Sequence, residues 1–141
     1  MYNNGYSNRS GSVAGRLAMH HVWAEGSGER HIATLSRFPI VEWQIYKTPP
    51  LTQAVLETRL DLPESSLTFY NVHLLPFLLL PFEVRRWQAA GKLLQLICER
   101  RPGPHLIAGD FNAIAPGDRV LQRNNPPRMR WLMGLQLGLT F

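Results

Sequence analysis

The sequence predicts a layered α/β fold in which a helix covers a sheet. Between Ile32 and Leu74, short strand-like runs follow one another with proline and turn punctuation. From Glu83 the apolar residues switch to helical spacing. Beyond that helix, His105 to Ala108 is a short continuous apolar run that reads as a buried strand. A chain of 141 residues, 45% hydrophobic and 18% charged, has the size and composition of one globular domain with its own core.

Met1 to Ser12 is rich in Asn, Ser and Gly and lacks the apolar core of a signal peptide, so residues 1–12 are expected to be a flexible polar start and 13–141 the domain. Val13 to His21 is moderately apolar and compatible with a helix, and Glu25-Gly26-Ser27-Gly28-Glu29 is a turn. Strands are predicted over Ile32–Leu35, Val41–Tyr46, Ala54–Leu62 and Leu67–Leu74. In the second, Val41, Trp43 and Ile45 alternate with polar residues. Pro39, Pro49-Pro50 and Pro63-Glu64-Ser65-Ser66 separate them, which suggests an antiparallel meander. Trp87, Ala90, Gly91, Leu94 and Ile97 recur at helical spacing until Arg100-Arg101-Pro102-Gly103-Pro104 stops the helix. The tail from Pro126 to Phe141 reads as one more helix ending near Gly134 or Gly138, and its apolar finish suggests a fold that stops early.

A formal charge of +5 favours an anionic partner: a phosphate ester, nucleic acid or an acidic lipid surface. Arg119, Arg123, Arg128 and Arg130 fall in a stretch without Asp or Glu after Asp118, readable as a phosphate-facing edge or equally as a solvated arginine face. The single cysteine, Cys98, excludes an internal disulfide framework and a cysteine-based zinc site, and its setting is that of a buried helical thiol. The greasiest stretch, His73 to Phe82, carries two prolines and falls short of the about 20 apolar residues that span a bilayer. No transmembrane segment and no obligate protein partner is expected, and cytoplasm is the default compartment.

The sharpest chemical signal is Leu106-Ile107-Ala108-Gly109-Asp110-Phe111-Asn112-Ala113. A buried strand delivers Asp110 to a sheet edge, Gly109 lets the backbone turn, and Asp110 and Asn112 can share a cleft while Phe111 faces the core. A carboxylate can position or deprotonate water beside Mg²⁺, and an amide can orient that base or donate to a phosphate oxygen. The structural alternative, a turn in which both side chains cap backbone amides, has even weight. In Phe69-Tyr70-Asn71-Val72-His73-Leu74, His73 ends a strand where it could hydrogen-bond a phosphoryl oxygen. Two strands separated by a helix thus each present a polar group at a carboxyl end, where open α/β sheets place ligands. Arg37, between a short strand and a proline turn, could meet a phosphate, a weak signal by itself.

Taken together, Leu35-Ser36-Arg37-Phe38-Pro39-Ile40, Asn71-Val72-His73-Leu74, Arg85 with Gln88-Ala89, and Gly109-Asp110-Phe111-Asn112 resemble the endonuclease/exonuclease/phosphatase superfamily, the DNase I-like group. The resemblance implies part of a four-layer α/β/β/α sandwich that lacks the first strands and the last strands, with Mg²⁺ or Mn²⁺ bound between the strand ends of two sheets. It implies that Asp110 activates water and contacts the metal, Asn112 orients the phosphate and His73 contacts it. Arg37 would bind substrate and Arg85 would be structural. Such relatives begin with strands bearing an Asn and a metal-ligating Glu and end with an Asp-His pair. Glu25 and Glu29 lie in a turn, and His20, His21, His31 and His105 are not in an Asp-His dipeptide. The expected activity is therefore metal-dependent hydrolysis of phosphate esters in a truncated, weak or inactive form, with exposed sheet edges and marginal stability. The alternative is a non-catalytic basic module binding nucleic acid or phosphoinositide, and missing strands could also come from another chain.

Overall fold

The computed structural model describes residues 5–27, 30–51, 53–76, 80–100, 103–113, 127–128 and 131. Its elements are α1 (Gly5–Leu17), β1 (His20–Ala24), β2 (Ile32–Ser36), β3 (Ile40–Tyr46), β4 (Val55–Leu62), β5 (Ser65–His73), α2 (Leu80–Glu99) and β6 (His105–Asp110). β1 and β2 form an antiparallel pair. The second sheet runs β3-β4-β5-β6. Its first three strands are the last three runs of the expected meander, whereas the first run, β2, pairs with β1 instead, and α2 crosses over to set β6 parallel to β5.

Strand alternation sorts the second sheet's side chains between two layers. Val55, Tyr70 and Val72 point to one face and pack with Leu51, Leu74 and the α2 residues Ala89 and Leu93. Leu56 points to the other, where it joins Ala54 and meets Ala24, Val22 and Ile32 of the smaller sheet. Leu56 and Ala24 are fully buried, and burying a leucine side chain contributes about 2 kcal/mol. The side-chain amide of Asn71 adds a polar tie between the sheets, donating to the Ala33 carbonyl at 2.9 Å. α1 packs on β1. The two sheets with their helices agree with the mixed α/β class predicted from sequence.

Several boundaries differ from the sequence prediction. α1 starts at Gly5, inside the expected polar start, and ends at Leu17, so the stretch read as helix to His21 instead enters β1. The stop is a backbone motif: Ala18 adopts φ 50°, its N–H donates to the Gly15 carbonyl at 3.3 Å, and Met19 N–H donates to the Ala14 carbonyl at 2.9 Å. This pair of bonds closes a helix, usually around glycine. Ala14, 1% exposed, anchors α1 despite its many Gly and Ser residues, because tertiary packing outweighs weak propensity. α2 begins at Leu80, earlier than Glu83, and of the residues read at helical spacing Ile97 packs half-buried against the core while Trp87 and Leu94 do not. Trp87 and Leu94 are 77% and 57% exposed, whereas Arg86, Ala89 and Leu93 are buried. Cys98 is likewise exposed. In the tail, Pro127, Arg128 and Trp131 are helical and exposed, and the rest of the expected last helix lies outside the described residues.

The end of α2 is tied to the sheet by a polar cluster. The Tyr46 hydroxyl donates to Glu57 Oε2 at 2.6 Å and accepts from Arg100 Nε at 2.9 Å. Arg100 Nε also lies 3.4 Å from Glu57 Oε2. Burial, followed by the hydrogen bond to Glu57, pushes the Tyr46 phenol up to about 12, and burial also raises Tyr70. A phenol whose folded pKa exceeds its unfolded value of 10.0 contributes stability below pH 10 that is lost as pH rises toward 12. Denaturant midpoints should therefore fall across pH 10–12 in the wild type and fall less in Tyr46→Phe. Equal slopes would show that this phenol does not couple to folding.

Candidate active site

Parallel pairing of β5 and β6 sets Val72 opposite Gly109 and His73 opposite Asp110, at the carboxyl ends of both strands. Partners in register point to the same side of a sheet, so both side chains emerge on the face that Asn71 shares, toward the smaller sheet. His73 Nε2 lies 3.9 Å from Asp110 Oδ2, with the side chains 23% and 61% exposed. A partly exposed pair at this distance contributes little to stability. It leaves an open carboxylate beside an imidazole at the rim between the sheets.

The turn that follows fixes the geometry. Gly109 has φ 140°, and a Cβ there would lie 2.0 Å from the Val72 carbonyl oxygen, so only glycine lets β6 reach β5 here. Leu74 N–H donates to the Asp110 carbonyl at 2.8 Å. Asn112 takes φ 49°, its backbone N–H donates to Asp110 Oδ1 at 2.9 Å, and its Nδ2 donates to the Leu74 carbonyl at 2.8 Å. Half of the capping alternative is thus present: Asp110 caps a backbone amide, whereas the Asn112 side chain donates to a carbonyl. Oδ1 of Asp110 holds the turn while Oδ2 faces His73, and one amide hydrogen of Asn112 is engaged by the backbone after His73. Phe111 does not face the core as expected; it is 40% exposed, because the chain turns at Asn112 instead of continuing as a strand.

Arg37 is not part of this cluster. It is exposed in the turn between β2 and β3, where Ser36 Oγ accepts from Phe38 N–H at 3.0 Å and the Pro39 carbonyl accepts from Asp61 N–H at 2.9 Å. Asp61 lies near the far end of β4, whose first residue, Val55, pairs with Val72. At about 3.3 Å per residue, the Arg37 turn stands roughly 20 Å along the strands from the His73 end. Arg85 is exposed on α2, and the arginine built into the interior is its neighbour Arg86, 4% exposed. Arg86, Ala89 and Leu93 share one helical face, a spacing that could have revealed it.

Among the described residues, no group of three or more His, Cys, Asp or Glu could hold a metal ion. Asp110 offers one exposed carboxylate. Magnesium is commonly held by one or two carboxylates with waters and substrate phosphates completing an octahedron, so this donor set fits an open site that substrate completes and not a closed one. Two cavities on the described surface lie elsewhere. One, of about 110 Å³, is lined by the paired charges Glu42, Glu57, Arg59 and Arg100. The other, of about 520 Å³, opens between β1 and β3 at His20, His21, Trp23 and Trp43. Neither is lined by His73 or Asp110. The charges that line the smaller cavity are paired with one another, Arg59 with Glu42 and Arg100 with Glu57. Arg119, Arg123 and Arg130 lie outside the described residues.

The family model described as endonuclease/exonuclease/phosphatase family matches residues 2–137. No curated protein matches the chain. No helix among the described residues is long and apolar enough to cross a membrane.

Proposed function

Because the chain belongs to the endonuclease/exonuclease/phosphatase family, which acts on phosphoesters and generally uses divalent metals, we propose that it hydrolyses a phosphate ester at the His73–Asp110–Asn112 cluster. The supporting observation is the register of β5 and β6, which puts an imidazole 3.9 Å from an exposed carboxylate oxygen. Asp110 Oδ2 orients the attacking water and accepts its proton as the new oxygen–phosphorus bond forms in line with the leaving group, whose P–O bond breaks so that it departs with the electron pair as an oxyanion. His73 donates a hydrogen bond to a phosphoryl oxygen, where negative charge builds up. Asn112 holds the Asp110 carboxylate through its backbone N–H and keeps its second amide hydrogen for the phosphate. Asp110 would also hold Mg²⁺ or Mn²⁺, which when bound neutralises charge on the phosphate.

The family match begins ahead of residue 13, so we take α1 into the domain rather than treating residues 1–12 as a separate start. Nuclease, phosphodiesterase or phosphatase action all fit this cluster. Arg37, roughly 20 Å away by strand rise, would reach only a remote phosphate of an extended substrate such as nucleic acid.

The test is hydrolysis of bis-p-nitrophenyl phosphate and of plasmid DNA by the purified chain, with and without Mg²⁺ or Mn²⁺. Metal-dependent turnover is expected, and His73→Ala should lower kcat by about 10²-fold, the usual effect of removing one donor to a developing oxyanion. Turnover without metal, or an unaffected His73→Ala, would overturn this assignment. A second reading, a non-catalytic module that binds nucleic acid or phosphoinositide, is favoured by the lack of a three-ligand group among the described residues. Salt-sensitive binding that ignores Mg²⁺, with no turnover, would select it.

A further inference from the structure

We propose that Arg86 is a positioning residue for His73, acting through the carbonyl of Leu75. The proposal rests on the cluster assigned above. Arg86 is a buried guanidinium, 4% exposed. Its Nη1 donates to the Leu75 carbonyl at 2.6 Å, and its Nη2 pairs with Glu83 in the first turn of α2. Burying a charge is costly unless its hydrogen bonds are made. An apolar side chain would cover the Ala89–Leu93 face at lower cost, so the guanidinium points to a requirement at Leu75.

Leu75 is two residues beyond His73. Immediately before it, Leu74 has both backbone groups engaged from the β6 side: its N–H by the Asp110 carbonyl, its carbonyl by Asn112 Nδ2. Arg86 supplies the matching hold from the α2 side. The chain leaving His73 is thus pinned from the strand that carries Asp110 and from the helix that covers the sheet. The β5 ladder alone fixes His73 only as its last strand residue, and a strand end frays without such ties. The planar fork of arginine reaches the Leu75 carbonyl and the Glu83 carboxylate together, which a lysine ammonium on a flexible stem does less well.

The experiment compares wild type, Arg86→Met and Arg86→Lys as full chains, reading the His73 Cε1–Hε1 cross-peak, the exchange rate of the Leu74 amide and thermal melting. In Arg86→Met the His73 cross-peak should move and Leu74 exchange should quicken at least about tenfold, while the His20, His21 and His105 signals stay in place. Arg86→Lys should restore part of both. A folded Arg86→Met with His73 and Leu74 unchanged overturns the proposal. Should Arg86→Met not melt cooperatively, Arg86→Lys carries the test: a shifted His73 signal supports positioning, an unmoved one overturns it.

Hydrolysis of bis-p-nitrophenyl phosphate with Mg²⁺ separates this inference from the proposed function. If wild type turns over, Arg86→Met should lose kcat by roughly 10²-fold, the scale of an ångström's misplacement, with KM within about twofold. A loss confined to KM overturns the inference. If wild type does not turn over but the His73 signal still moves in Arg86→Met, the hydrolytic reading fails and the positioning of His73 stands.

Discussion

Gly109→Ala is expected to lose a large part of its folding stability. The residue sits in β6 opposite Val72 with φ 140°, and an added Cβ would meet the Val72 carbonyl oxygen at 2.0 Å and its nitrogen at 2.8 Å. Both obstacles are backbone atoms of a residue 1% exposed, packed against α2, so no flexible side chain can give way. The backbone conformation alone costs an alanine about 1–3 kcal/mol. The overlap must then be relieved by parting β5 from β6 at the register point that pairs His73 with Asp110, for a total of about 4 kcal/mol or more. That is a large part of the 5–15 kcal/mol that holds a typical domain. Urea unfolding should show a collapsed midpoint or no cooperative transition, and any folded remnant should lose the His73–Asp110 proximity. A midpoint near wild type would mean that β6 does not meet β5 in this register.

Asp110→Asn should separate chemistry from folding. The substitution keeps an oxygen that can accept the Asn112 N–H, so the turn after β6 can persist. At 61% exposure the carboxylate carries little packing, and stability should stay within about 0.5 kcal/mol of wild type. What the amide cannot do is accept a proton from water. Turnover of bis-p-nitrophenyl phosphate in Mg²⁺ should therefore fall by about 10²–10⁴-fold, the usual contribution of a positioned general base. A variant that is equally folded and equally active would remove Asp110 from the reaction and leave it as the cap of its own turn. The two substitutions thus give opposite patterns: one strikes the backbone that builds the site, the other an atom that acts in it.

The comparison of His73 with Arg37 shows what local reading can and cannot reach. Both follow predicted strands, and both are residue types suited to phosphate. Only His73 lies at the strand end that pairs with Asp110, whereas Arg37 follows β2 toward the opposite end of the strands, two residues before the Pro39 carbonyl that accepts from Asp61 N–H. A strand's direction relative to its neighbours is a tertiary property: nothing in Leu35-Ser36-Arg37 states which end of the larger sheet β2 will face. The same holds for α2. Its sequence carries apolar residues on two faces, and the sheet selects the one with Arg86, Ala89 and Leu93, leaving Trp87 in solvent.

By itself the sequence determined the strand runs of β2 to β6, their proline breaks and the helix between β5 and β6, because alternation, helical period and turn chemistry are local, but it read the start of β1 as helix. It also carried Gly109, Asp110, Asn112 and His73 as residues worth naming. The tertiary structure decided the rest. Ala18 ends α1 in a left-handed conformation that glycine would have advertised and alanine conceals. The parallel pairing of β5 with β6 brings His73 to Asp110 across 37 residues of chain. Arg86, not Arg85, is drawn into the interior to hold the carbonyl of Leu75. Each of these depends on which surfaces meet, and that is fixed only when the sheets and helices bury one another.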